Sequence, residues 1–287
     1  MFNSGYIIYL VNLVALFAIL GLSYNLLVGF TGLGNLGHPA FFLVGAYTTA
    51  LLTVKAGWPL PVAWALGTLA GMITGALLSL VTRKARGDVV SVLTLFFLIT
   101  VITVTLNWTT VTRGALGIPG IPRPTAFQTP EQFLLLTVFA FILVYGIVWK
   151  ITRSPFGRVL GAVRDDELAA ATLGKNVFKA RVVAFLIAGA LAGFGGGLFG
   201  MFFRFVDPGS FYFPMLISVL TIVYIGGLAS LPGTILGAVV VILLPEILRF
   251  LPLNPEVVGA LRQIIFSALV LIVIIWRPKG MLGKVEL

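Results

Sequence analysis

Residues 89–107 read VVSVLTLFFLITVITVTLN, a run of 19 positions without one charged side chain. A helix rises about 1.5 Å per residue, so such a run crosses the roughly 30 Å hydrocarbon core of a bilayer. In lipid the backbone must satisfy its own N–H and C=O groups, and for an isolated apolar run that means a helix. Working outward, similar runs lie near 6–29, 39–54, 60–81, 132–151, 180–203, 211–227, 233–250 and 257–276. The pattern predicts an all-α, polytopic membrane helix bundle of about 8–10 transmembrane segments, folded as a single domain over residues 1–287.

Composition agrees. The chain is 59% hydrophobic and 10% charged, against about 45–50% and about 25% in soluble domains, and its mean hydropathy is +1.11. With 33 Gly and 15 Pro scattered among apolar runs, a disordered polar linker, a coiled coil and a collagen-like repeat are excluded. The absence of cysteine removes disulfides, thiolate metal sites and a Cys nucleophile, and the lone histidine, His38, removes multi-His metal sites and two-His relays. Asp165 and Asp166 stand together without a second acidic cluster, and no Ser, His and Asp grouping is available. No G-x-x-x-x-G-K-[ST] phosphate loop is present, and Gly174-Lys175-Asn176 lacks both its spacing and its hydroxyl. The residues therefore predict neither an enzyme nor a bound cofactor or metal.

The net charge of +10 reads as topology, because Lys and Arg concentrate on the cytoplasmic side of membrane proteins. Arg83, Lys84 and Arg86 share one connection, and Lys150, Arg153, Arg158, Arg164, Lys175, Lys179 and Arg181 share another. Alternating passes put Arg277, Lys279 and Lys284 on the same side, so 13 of 19 basic residues are expected in the cytoplasm. The N-terminus is then outside and the C-terminus inside. Lys55 is the first basic residue after the initiator, so the amino end lacks a signal-peptide n-region and is expected to stay on the mature chain. Trp58 and Trp108 fall at outer boundaries and Trp149 and Trp276 at inner ones, where indoles favour the headgroup level.

Two connections are long. Residues 108–131 carry Pro119, Pro122, Pro124 and Pro130 with three glycines, which predicts a structured external loop. Residues 153–179 predict a short amphipathic cytosolic helix with Val159, Val163, Leu168 and Leu173 on one face and Gly174 as C-cap. That helix either lies on anionic headgroups or docks a cytosolic partner, and Ala169, Ala170 and Ala171 favour docking because they allow close backbone approach. Arg164 and Glu167 have i, i+3 spacing on it, suited to a local pair or to a partner contact.

The Gly-rich break Gly29–His38 (GFTGLGNLGH) interrupts an apolar stretch just before Pro39, a favoured first residue of a helix. Broken helices in transporters line a water-filled path, which makes Gly34, Asn35, Gly37 and His38 candidates for it. The competing reading of His38 is a satisfied structural histidine. A second interruption, Gly226–Gly233, serves as a path or as a tight turn. Gly189, Gly193 and Gly197, and separately Gly233 and Gly237, give small-residue helix faces suited to close packing, with a smooth pore lining as the alternative. Glu246, Arg249 and Arg262 sit near outer helix ends, so the midplane acids of an ion-coupled secondary transporter are missing.

The segment Ser154–Gly200, from SPFGRVLGAVRDDELAAATLGKN to AGALAGFGGGLFG, resembles the coupling loop and following helix of LivM-type permeases of branched-chain amino acid ABC importers. GLSYNLLVGFTGLGNLGHPAFFLVGAYTTALL, RGDVVSVLTL, NWTTVTRGALGIPGIPRP, IVYIGGLASLPGTILGAVVVILLPEILR and WRPKGMLG resemble that family's other stretches in order, covering nearly the whole chain. The resemblance implies a transport subunit forming half of a translocation path. It would pair with a second, homologous permease, two cytosolic ATPases that hold ATP and Mg, and a soluble substrate-binding protein. It places ELAAATLG where such permeases contact their ATPases, implying coupling roles for Arg164, Glu167, Ala170, Leu173 and Gly174. Asn35, Pro39 and Arg113 depart from the family's usual residues, and related permeases serve urea, amides or aromatic acids as alternatives to branched-chain amino acids.

Overall fold

The computed structural model describes residues 4–85 and 87–248, with residues 261, 264, 265, 268, 271 and 280–283. The chain begins as α1 (Ser4–Thr31), breaks over residues 32–37, and returns as α2 (His38–Ala50), which continues into a π-helical turn at Leu51–Lys55. α3 (Leu60–Val81), α4 (Asp88–Asn107) and the short α5 (Thr109–Thr112) follow. α6 (Pro130–Arg153) leads through α7 (Pro155–Asp165) and α8 (Glu167–Thr172) to α9 (Val177–Phe203). α10 (Phe213–Gly226) and α11 (Leu231–Leu248) come last. Among the described residues, six stretches are long and apolar enough to span a bilayer: α1, α3, α4, α6, α9 and Pro208–Gly226, which contains α10. Eight of the nine apolar runs fall on helices, and the ninth, 257–276, lies largely outside the described residues.

The helices start where local chemistry favours it. α6 has a reciprocal capping box between Thr129 and Gln132 with Pro130 in its first turn, and Asn176 caps α9 by accepting from the Lys179 amide at 2.8 Å. α9 is the central post, packed against α3, α2 and α1. Its glycines make that approach possible: a Cβ at Gly189 would stand 2.4 Å from the Gly71 carbonyl oxygen, and one at Gly45 of α2 2.2 Å from that of Gly193. Gly197 faces Trp64 and Thr49, and Gly233 and Gly237 of α11 face Gly226 and Ile222 of α10. Trp64, the tryptophan outside the boundary pattern, stacks on Phe194 at 4.5 Å and donates to its carbonyl at 2.9 Å. Phe96, Leu135 and Phe139, on α4 and α6, are exposed, as faces turned to lipid would be.

The connections gather at two poles. At one, Arg164 meets Gly29, Arg181 meets Ala85, and residues 280–283 meet 224–227. At the other, Lys55 donates to the Thr110 and Val111 carbonyls, and β1 (Ile118–Pro119) pairs antiparallel with β2 (Phe205–Val206), Ile118 opposite Val206. Loop 108–131 is held there by the Arg123 guanidinium, which donates to the Phe202 carbonyl at 3.0 Å and lies 4.8 Å over the Phe133 ring. Burial and the neighbouring positive charge of Arg204 lower the Arg123 pKa from its usual value.

One expectation is corrected. Residues 153–179 form two short helices before α9, because Asp166 adopts an extended conformation (φ −157°) and its carboxylate accepts from the Leu168 and Ala169 amides, ending α7 and capping α8. The apolar residues therefore do not share one face. Val163 is buried, whereas Leu168 and Leu173 are 67% and 76% exposed.

Candidate functional site

The α1–α2 break lies at the pole that carries α7 and α8, and its polar groups are matched one by one. The Asn35 carboxamide oxygen accepts from the Gly37 amide at 3.0 Å, which turns its nitrogen to His38 Nδ1 at 3.3 Å. Ser23 Oγ of α1 donates to the Leu20 carbonyl at 2.8 Å, leaving it to accept from His38 Nε2, also at 2.8 Å. These roles fit a neutral imidazole protonated at Nε2, since a charged ring would turn an N–H toward the Asn35 amide donor. Asn35 and His38 are fully buried. From α4, Thr94 Oγ1 accepts from the Leu36 amide at 3.0 Å and Ser91 Oγ donates to the Gly34 carbonyl at 3.3 Å. A Cβ at Gly37 would stand 2.5 Å from the Thr94 carbonyl oxygen and one at Gly34 2.1 Å from Ser91 Oγ.

A cavity of about 550 Å³ opens between this break and the α7–α8 elements, within the usual range of small-molecule sites, about 300–1,000 Å³. Gly32, Gly34, Ser91, Arg164, Glu167 and Arg181 line it. Asn35, Gly37 and His38 lie behind that wall. At the end of α8, Gly174 is left-handed (φ +75°), and the Lys175 and Gly174 amides each donate at 3.0 Å, to the Ala170 and Ala171 carbonyls. This is a Schellman cap, and it holds exposed Leu173 beside the end of the helix while Ala170 packs inward.

Residues 6–274 match the family described as branched-chain amino acid transport system / permease component. The chain is 33% identical to the high-affinity branched-chain amino acid transport system permease protein LivM of Salmonella typhimurium, over 93% of this chain and 68% of the relative. It belongs to this permease family. The permease is also 24% identical to LivH of Escherichia coli, a protein of the same description, over 96% of this chain and 94% of that one. A probable branched-chain amino acid transport permease protein LivM of Methanocaldococcus jannaschii is 24% identical over 94% and 91%. No solved structure matches.

Arg164 and Glu167 of the permease do not pair with each other, because the chain breaks between them at Asp166. Arg164 instead pairs with Asp165 at 2.8 Å and reaches Gly29, while Glu167 pairs with Arg181 of α9. The second interruption is tied to α1 by Asn25, a fully buried residue that the sequence reading passed over. Its nitrogen donates to Thr234 Oγ1 at 2.7 Å and to the Ser230 carbonyl at 3.2 Å, and its oxygen accepts from the Ala229 amide at 3.0 Å. The Met281 and Leu282 amides donate to the Ile225 and Gly226 carbonyls at 2.8 and 3.0 Å. A signal for Asn25 was present: a carboxamide within the apolar stretch SYNLLVG needs a partner inside the protein.

Proposed function

We propose that the permease forms half of the translocation path of an ATP-binding-cassette importer, carrying hydrophobic amino acids of the leucine, isoleucine and valine class across a prokaryotic inner membrane. Its partners are a second, homologous permease, two cytosolic ATPases that hold ATP and Mg, and a soluble binding protein. The observation that carries the reading is the seating of α7 against the end of α1 at the break, with the capped α8 packed beside it and its Leu168 and Leu173 exposed. A short helix fixed at both ends conveys a rigid-body displacement better than a flexible loop, and a broken helix is where such a displacement opens or closes a path.

The pole with α7 and α8 faces the cytoplasm, which leaves the amino end outside and the carboxyl end inside. Support comes from Arg83, Lys84 and the basic residues of 150–181, which that pole collects. Gly32 and Gly34 form the wall of the path at its inner end, and Asn35, Gly37 and His38 hold that wall in place. The test is uptake into proteoliposomes holding the complex, its binding protein and internal ATP, with leucine, phenylalanine and urea offered in turn. ATP-dependent uptake preferring leucine supports the reading. A preference for phenylalanine or urea reassigns the substrate, and uptake driven by a sodium gradient without ATP refutes the importer assignment.

A further inference from the structure

Arg164 of α7 and Glu167 of α8 turn inward, onto the permease itself. Arg164 Nη1 donates to the Gly29 carbonyl at 3.1 Å, and a Cβ added at Gly32 would lie 2.9 Å from Arg164 Cγ. Gly29 belongs to the last turn of α1, where the break leaves carbonyls without their intrahelical donors. A guanidinium there satisfies such a carbonyl and faces the negative end of the helix dipole. Among the described residues it is the side-chain hydrogen bond that joins 153–179 to the break. On the other side Glu167 pairs with Arg181, whose Nη1 donates to the Ala85 carbonyl at 3.4 Å in the α3–α4 connection. The Arg164 and Arg181 side chains are only 20% and 12% exposed, so solvent and salt screen these contacts less than surface pairs.

The two arms flank the 550 Å³ cavity. One runs from α7 to the end of α1, the other from α8 through α9 to the α3–α4 connection. From this geometry we infer that Arg164 and the Glu167–Arg181 pair are positioning residues for transport, delivering a displacement of α8 to the α1–α2 break and to the α3–α4 connection. The docking face is then Leu168 and Leu173, and the charge of Arg164 and Glu167 serves the permease interior. The inference rests on the proposed function, because it takes an ATPase to be the source of the displacement.

The test measures amino acid taken up per ATP hydrolysed by the reconstituted complex with its binding protein. Arg164→Met is expected to keep stimulated hydrolysis within about twofold and to lower uptake per ATP at least tenfold, with Arg164→Lys recovering part of it through its ammonium, which can still donate to the Gly29 carbonyl. Glu167→Arg and Arg181→Glu are each expected to lower the ratio, and the double exchange to restore at least half of it, which a merely structural role does not require. An unchanged ratio in the single variants overturns the inference alone. So does a parallel loss of uptake and hydrolysis that neither Arg164→Lys nor the double exchange relieves. Absence of ATP-driven uptake by the unmodified complex overturns the functional reading, and this inference with it.

Discussion

Asn25→Ala is expected to destabilise the permease by about 2–3 kcal/mol, and the figure follows from what each partner loses. The variant removes three hydrogen bonds, to Thr234 Oγ1, the Ser230 carbonyl and the Ala229 amide. Side-chain hydrogen bonds inside membrane proteins contribute about 0.6 kcal/mol each on average, giving roughly 2 kcal/mol for the set. The partners do not suffer equally. The Ser230 carbonyl still accepts from the Thr234 amide and hydroxyl, both at 3.0 Å, so that hydroxyl also keeps a partner. The Ala229 amide, in a left-handed residue (φ +56°), is left buried without an acceptor, a penalty of about 1–3 kcal/mol that overlaps the first sum. Thr234→Val should cost under about 1 kcal/mol, since Asn25 keeps its other two contacts. Equilibrium unfolding in mixed micelles measures both. An Asn25→Ala loss below about 0.5 kcal/mol, or a Thr234→Val loss equal to it, refutes the accounting.

Gly193→Leu should prevent α2, α3 and α9 from closing, because even a Cβ there would stand 2.9 Å from the Gly67 carbonyl oxygen; its yield in folded, monodisperse form should fall at least tenfold by fluorescence-detected size exclusion. Gly174→Pro, at φ +75° with its amide engaged, should unravel the end of α8, abolishing uptake and stimulated ATP hydrolysis while the membrane-embedded fold persists. Gly174→Ala should show a milder loss, near 1 kcal/mol locally. In a chain without cysteine, Thr125→Cys should react with an impermeant thiol reagent on intact cells and Lys175→Cys should not; equal labelling refutes the orientation.

Much of the bundle was legible because lipid permits few solutions: uncharged runs of 20 residues are helices, and small residues repeated every fourth position on α9 mark a close approach. The 153–179 connection was legible in place but not in shape. Its apolar spacing suggested one helix, and a local event overrode it when Asp166 preferred its own α8 amides to the helical continuation of α7. For the site, residue types identified the break, yet the partners of His38 and of the Leu36 amide lie on α1 and α4, at positions 23 and 94, which no local pattern connects. Arg164 and Glu167 illustrate the same limit. Their i, i+3 spacing suited a local pair or a partner contact, while the groups they meet, Gly29 and Arg181, come from helices that only folding brings near.

The most direct test of the claim that ATPase motion reaches the broken helix is the reactivity of a thiol at Leu33, a residue that lines the cavity and is 5% exposed. Leu33→Cys would be introduced into the full complex in proteoliposomes and its labelling rate by a small methanethiosulfonate compared without nucleotide and in the vanadate-trapped state. A change of at least fivefold between the two states, with uptake retained before labelling, is the predicted result. Equal rates in both states, in a complex that still transports, would contradict it.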